Sequence, residues 1–306
     1  MKDFSVIIPH LNDAYETYFT VYSYIKELEP FGFDYEIIIV DNGSDVTQLG
    51  ILASFMTYLP NWFPVRLVSY TEHQGDVPPW QYGVKQAVGK YLVFSDSHIL
   101  LSSNFFVEQM KLLKADATIK TLYAAGSMGT WTPPFLCGYH FSKEAFHVNN
   151  GIQEKNEPYE ILISSMGSVI VEREHFLKMG MFGLSCFNET GGFGSEEIFL
   201  GLKTWMFGGR CVINPNVFWM HTILAKYQGG KKWPAHNMCI GAYVMGGQEY
   251  LDRVIKSNQR VVAEVVNQPK GKEFIESVPK LAKEDYDFVQ KNAVYSFNEI
   301  MERFHK

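Results

Sequence analysis

The stretch Tyr91-Leu92-Val93-Phe94-Ser95-Asp96-Ser97-His98 joins a continuous apolar run to a polar end. Four apolar residues without alternation read as a strand covered on both faces, the kind found in parallel sheets between layers of helices. Asp96 and His98 stand two apart, so in extended chain they project to one side. That side lies at the strand's carboxyl end, where open α/β sheets bind their ligands. A carboxylate oxygen with an imidazole nitrogen suits a first-row divalent ion such as Mn²⁺ better than Mg²⁺, which prefers oxygen shells. Two protein ligands leave coordination positions for a diphosphate, whose leaving charge the ion would neutralise. The competing reading makes Asp96 a helix cap and His98 a packed loop residue, and an Asp-x-His triplet alone does not decide between them.

Working outward, short apolar runs alternate with segments of helical period. Strands are expected at Phe4–Ile8, Tyr35–Val40, Val65–Ser69, Tyr91–Phe94, Ser168–Val171 and Arg210–Ile213. Helices are expected near Ala14–Leu28, Val46–Tyr58, Trp80–Val88, Phe105–Lys114 and Glu197–Phe207. The first four strands and three helices form a doubly wound, nucleotide-binding half of a mostly parallel α/β sheet. From about Tyr123 to Pro158 the chain turns irregular and rich in glycine, proline and aromatics, as expected of a binding loop or lid. At 306 residues the chain suits one enlarged α/β domain, expected over 1–224, with a helical C-terminal extension over 225–306.

The first strand ends in Pro9-His10-Leu11-Asn12 with no GxGxxG turn, which lowers the hydride-transfer reading. The second delivers Asp41-Asn42-Gly43-Ser44-Asp45. Asp41 is placed to accept hydrogen bonds from a base or ribose. Equally, the segment reads as a strand-to-helix turn capped by Ser44 or Asp45. Downstream, Gly191-Gly192-Phe193-Gly194-Ser195-Glu196-Glu197 opens a helix, with Ser195 as cap and two glutamates where the helix dipole favours anions. The functional alternative gives one glutamate the acceptor hydroxyl to bind or deprotonate. Past the last expected strand, Val217-Phe218-Trp219-Met220-His221 offers a loop histidine that would complete the Asp96/His98 pair. In the His73–Trp80 loop, Trp80 reads as packing beneath the following helix. Trp131, in the irregular segment, offers an aromatic face for a flat or sugar-like ring.

A hydrophobic share of 46% excludes a disordered class, and a net charge of −6 offers no broad basic face for nucleic acid. Lys226, Lys231 and Lys232 read as solvated lysines. The cysteines Cys137, Cys186, Cys211 and Cys239 show no zinc spacing and are expected as buried free thiols in a reducing compartment. No stretch reaches the length of a membrane helix, and the N-terminus does not read as a signal peptide, so the expected location is cytoplasmic.

Taken in order, four blocks carry a resemblance: Ser5-Val6-Ile7-Ile8-Pro9, Glu36 through Ser44, Gly89 through His98, and Gly167 through Gly180. They resemble the family 2 glycosyltransferases of GT-A fold, over roughly Phe4 to His221. Asp96-Ser97-His98, with Trp205-Met206-Phe207-Gly208-Gly209 followed by His221, looks like the DxH variant found in polypeptide N-acetylgalactosaminyltransferases. The resemblance implies a metal-dependent glycosyltransferase, moving a hexosyl or N-acetylhexosaminyl group from a nucleotide-sugar, expected to be a UDP-sugar. It implies Asp96, His98 and His221 as metal ligands, with Mn²⁺ or another divalent cation. Pro9, Asn12, Asp41 and Asn42 would grip the nucleoside, Ser97 and Asp76 would line the donor site, and Glu196 would contact substrate. Inverting members carry an acidic base at the position of Glu197, whereas the retaining N-acetylgalactosaminyl group has a neutral residue there, so Glu197 tilts the reading toward inversion. The acceptor stays open among glycan, peptide, small molecule and modified nucleic acid, and so does the oligomeric state. A nucleotidyltransferase would need a phosphate loop that Pro9–Asn12 does not supply. A non-catalytic sugar-nucleotide or glycan-binding protein of the same fold is the remaining alternative.

Overall fold

The structure is a computed structural model, and the residues it describes are 2–70, 77–116, 120–128, 136–144, 146–183, 194–222 and 234–304. Its first half builds the expected parallel sheet: β1 (Phe4–His10), α1 (Ala14–Leu28), β2 (Tyr35–Asp41), α2 (Val46–Tyr58), β3 (Val65–Ser69), α3 (Val77–Gln86) and β4 (Tyr91–Ser95). Strand order is β3-β2-β1-β4, all parallel. The register sets His10 beside Asp41 and Ile7 beside Phe94, so the carboxyl ends of β1, β2 and β4 open on one edge.

Side-chain alternation along β1 feeds two cores. Phe4, Val6 and Ile8 face a cluster with Tyr24 of α1 and, from α4 (Phe105–Ala115), Phe106; Ile7 faces a second cluster with Trp80 and Val84 of α3. Each fully buried large apolar side chain contributes about 1.5–3 kcal/mol, so both faces of the strand stabilise the fold. Trp80 packs as expected, 2% exposed and stacked on Phe182 at 5.8 Å.

The second half differs from the sequence expectation in three ways. A short strand β5 (Ile99–Leu101) follows β4 directly. Within the stretch expected to be irregular, the described residues form β6 (Thr121–Met128), β7 (Leu136–Ser142) and β8 (His147–Ile152), followed by β9 (Tyr159–Ile161) just after it. Ladder hydrogen bonds organise these residues without a hydrophobic period: β7 and β8 pair antiparallel, and Tyr139 bridges Ile163. After β10 (Ser168–Glu172), α5 (Arg173–Lys178) and α6 (Glu196–Met206) comes β11 (Arg210–His221), which continues far beyond Ile213. Pro215 lacks the N–H a ladder needs, and the register of β11 against β6 shifts between Asn214 and Phe218 before pairing resumes. The interruption made one long strand read as a strand plus loop.

Beyond it, α7 (Pro234–Ser257) bends at Gly247, whose φ of +70 is a left-handed conformation that favours glycine. Ala235, Met238 and Val254 of α7 and the later Val278, Val289 and Ile300 join the same hydrophobic cluster as Ile7 and Trp80. Cys137, Cys211 and Cys239 are buried free thiols, as expected; Cys186 lies outside the described residues. No helix among the described residues is long and apolar enough to cross a membrane.

Candidate functional site

β4 ends at Ser95, which leaves Asp96 at the open edge of the sheet, its N–H donated to the Gly167 carbonyl at 3.2 Å. His98 follows two residues later, immediately before β5. β5 pairs antiparallel with the end of β11, setting His221 opposite Ile99. This pairing brings His221 to the two upstream ligand candidates from the far end of the chain. Thr222 reinforces it by donating its N–H (2.8 Å) and hydroxyl (3.1 Å) to the His98 carbonyl. His221 therefore sits on a strand end rather than on the loop expected from sequence, because β11 resumes after Pro215.

The result is a three-residue group whose candidate ligand atoms, from Asp96, His98 and His221, all lie within 4.8 Å of one another. Asp96 Oδ2 and His221 Nε2 are 3.1 Å apart, the two imidazole rings are 5.1 Å apart, and Trp219 meets His221 edge-on at 4.8 Å. Burial alone would raise the Asp96 pKa, but the His221 hydrogen bond and the positive potential of both histidines hold it below the ordinary carboxylate value. One oxygen and two nitrogens fit a first-row divalent cation and leave room for further ligands.

Sequence reasoning passed over Asp13. It stands at the N-cap of α1, yet its side chain makes no capping bond. Instead Oδ1 meets His10 Nδ1 at 2.8 Å, and Oδ2 accepts the Ser97 hydroxyl and lies 3.6 Å from His98 Nδ1. Burial opposes ionisation, but the bonds from His10, His98 and Ser97 outweigh it and hold the carboxyl far below its usual range. The signal was present as an acid directly after the Pro9–Asn12 turn, but it reads as a helix start. The Ser97 hydroxyl is thus turned to Asp13.

On the neighbouring strand ends, Asn12 adopts φ +56 and ties two turns together, its Oδ1 accepting the Asp45 N–H at 2.8 Å and its own N–H reaching Ser44 Oγ at 3.0 Å. Pro9 pairs with Val40 in the β1–β2 register, and the Asn42 N–H is donated to the His10 carbonyl at 2.8 Å. Asp45 is the cap of α2, accepting from Thr47 and Gln48 N–H at 2.9 Å each. Asp41 is buried, and one of its oxygens accepts the Ser44 N–H at 3.2 Å. The cap thus belongs to Asp45, one of the two residues expected to supply it, while Asp41 stands at the strand end.

Glu196 and Glu197 open α6. Ser195 occupies the cap position at φ +79, a left-handed backbone in place of the extended one usual for a cap, and makes no side-chain capping bond, contrary to the sequence expectation. Glu196 is buried and Glu197 half-buried. Burial, with the negative charge of Asp96 adding to it, pushes the Glu197 pKa up to about 7. Tyr139 of β7 also belongs to this neighbourhood: burial and the charges of Glu197, Asp96 and Glu196 all raise its phenol. Nothing in the aperiodic text around it pointed there. Asp76, Trp131, Lys226, Lys231 and Lys232 lie outside the described residues.

Glycosyl transferase family 2 matches residues 5–179. Mouse polypeptide N-acetylgalactosaminyltransferase 4 is 23% identical over 227 residues, covering 69% of this chain and 38% of the relative. A putative polypeptide N-acetylgalactosaminyltransferase 13 of Drosophila melanogaster is 26% identical over 239 residues, with 69% and 40% covered. The chain thus spans about two fifths of the length of these curated relatives. Among solved structures, GalNAc-T7 with UDP, GalNAc and Mn²⁺ superposes with a TM-score of 0.75 at 19% identity, over 99% of this chain and 56% of that one. TarS residues 1–349 of S. aureus in complex with UDP-GlcNAc gives 0.58 at 12% identity, over 94% and 90%. A family match across more than half of the chain, on a GT-A fold, makes this protein a member of the family 2 glycosyltransferases.

Proposed function

We propose that the protein transfers a sugar from a UDP-sugar to an acceptor hydroxyl in a reaction that depends on a divalent cation such as Mn²⁺. The observation that carries this reading is the Asp96–His98–His221 group at the carboxyl end of β4, with Glu197 inside its electric field. The bound cation would neutralise charge on the departing diphosphate. Asp41 and the Pro9–Asn12 turn hold the nucleoside at the adjoining strand ends. Glu197, with a pKa near neutrality, takes the proton from the attacking hydroxyl, as a general base matched to its working pH does. A base opposite the leaving group corresponds to inversion of configuration. The chain's helical region, 225–306, is read as an extension packed against a catalytic domain over 1–224.

Two features favour a second reading, retention of configuration. Asp96-Ser97-His98 with His221 has the donor set of the resemblance to N-acetylgalactosaminyltransferases, and proteins of that name are among the curated relatives. UDP-GalNAc, UDP-GlcNAc and other nucleotide-sugars, each with Mn²⁺ and with chelator, separate the readings. UDP release that requires the cation supports transfer, and proton NMR of the product's anomeric centre assigns inversion or retention. UDP binding without release from any donor would instead establish a sugar-nucleotide-binding protein.

A further inference from the structure

Asp13 is a residue whose side chain does something other than its position leads one to expect. An aspartate at a helix N-cap ordinarily accepts backbone N–H bonds of the first turn, a contribution of about 1 kcal/mol. In α1 that contribution is absent, because the side chain of Asp13 makes no capping bond. Oδ1 faces His10 Nδ1 (2.8 Å) and receives the Thr17 hydroxyl (3.2 Å). Oδ2 receives the Ser97 hydroxyl. Ser97 Oγ in turn lies 3.3 Å from His98 Nδ1.

The direction of this chain follows from donor and acceptor chemistry. An ionised carboxylate only accepts, so the single hydroxyl proton of Ser97 goes to Asp13. Ser97 Oγ then has only lone pairs to offer His98, and Nδ1 must be the donor. A neutral imidazole with its proton on Nδ1 presents its lone pair on Nε2. The His98 backbone is fixed independently: Thr20 Oγ1 lies 2.9 Å from both the Ser97 and Ile99 carbonyls and accepts the Ile99 N–H, and Thr222 N–H holds the His98 carbonyl. The ring's tautomer is what Asp13 acts on through Ser97.

We propose that Asp13 is a positioning residue of the metal centre, acting through the Ser97 hydroxyl to hold His98 with its proton on Nδ1 and its lone pair on Nε2. This rests on the metal-dependent reading above for its functional meaning, but not for its test. It also assigns a role to the middle residue of Asp96-Ser97-His98, and it connects the centre to the turn at the end of β1 that carries Pro9 and Asn12.

The experiment compares wild type with Asp13→Ala, Asp13→Asn and Ser97→Ala in two measurements. Long-range ¹H–¹⁵N correlation of His98 in the metal-free protein, at a pH where the ring is neutral, reads the tautomer. Wild type should show the Nδ1–H form alone, and Asp13→Ala and Ser97→Ala a mixture. Mn²⁺ binding followed by electron paramagnetic resonance should weaken about 10- to 100-fold in both variants, the range typical of lost outer-shell partners. A folded Asp13→Ala or Ser97→Ala protein with the wild-type tautomer would overturn the proposal, as would Mn²⁺ affinity within about twofold of a binding wild type. Should Asp13→Ala not fold, Ser97→Ala carries the test, because it leaves Asp13 its bonds to His10 and Thr17. A wild type that binds no Mn²⁺ refutes the metal-dependent function, while the tautomer measurement still decides the role of Asp13.

Discussion

Asp96 Oδ2 and His221 Nε2 meet at 3.1 Å although 125 residues separate them in the chain. The contact is made by sheet topology: β5, three residues long, folds back on the last three residues of β11. On the proposed function, replacing either partner removes a candidate ligand and leaves the other without its hydrogen bond. Asp96→Ala and His221→Ala are each expected to reduce Mn²⁺-dependent UDP release by more than about 100-fold, equivalent to about 2.7 kcal/mol. Titration of activity against Mn²⁺ checks this, and undiminished metal-dependent turnover in either variant would remove the pair from the centre.

Glu197 gives a pH dependence with a definite sign. Its pKa is raised from 4.5 to about 7, so the folded protein holds a proton there that the unfolded chain has released. Stability from this group is therefore present below pH 4.5 and is lost as pH rises toward 7. Activity runs the opposite way, because a base must be ionised. On the proposed role as base, the rate should climb with pH as Glu197 ionises, and Glu197→Gln should abolish that limb with a loss of about 10²- to 10⁴-fold. A kcat profile against pH, paired with thermal denaturation at pH 5 and 8, reads both effects. A Glu197→Gln enzyme with an unaltered profile would assign the base elsewhere.

The two acids around Asn42 should separate cleanly. Asp45 caps α2 from an exposed position, so Asp45→Ala is expected to cost about 1 kcal/mol of stability and leave UDP affinity intact. Asp41 is buried at the end of β2, and Asp41→Ala should weaken UDP binding by about tenfold or more, a loss of about 1.4 kcal/mol. Calorimetric titration with UDP beside thermal unfolding distinguishes them. Equal loss of UDP affinity in both variants would mean that the turn as a whole, and not Asp41, grips the nucleotide.

What could be read from sequence tracks the physics of each segment. β1, β2 and β4 are buried on both faces, so their apolar runs announce them, and the polar residues at their ends fall where ligands bind. β7 and β8 were missed because hydrogen-bonded ladders, with no alternating pattern, define them. β11 was cut short because Pro215 breaks its ladder once. Asp13 was overlooked for a different reason: its residue type and position matched a helix cap so well that its partners, 84 and 85 residues away, had no local trace. Asp96 and His98 were legible because a two-residue spacing in a strand is a local geometric statement.

Gly167 offers a last test, one that links packing to the proposed metal centre without replacing a candidate ligand. A Cβ built there would lie 2.3 Å from the Trp219 indole ring, a distance that forces the ring to move. That ring is buried and packs edge-on against His221, and the Gly167 carbonyl accepts the Asp96 N–H. Gly167→Ala is therefore expected to cost about 1–3 kcal/mol by overpacking and, on the proposed function, also to lower Mn²⁺ affinity, since Asp96 and His221 both contact the displaced groups. Trp80→Ala, a larger change in the other core, should cost about 3–5 kcal/mol yet leave the affinity of the folded protein unchanged. Measuring unfolding and Mn²⁺ binding on both variants separates loss of stability from loss of the site. If Gly167→Ala destabilises the protein but binds Mn²⁺ like wild type, the support that Trp219 gives to His221 has no bearing on the metal.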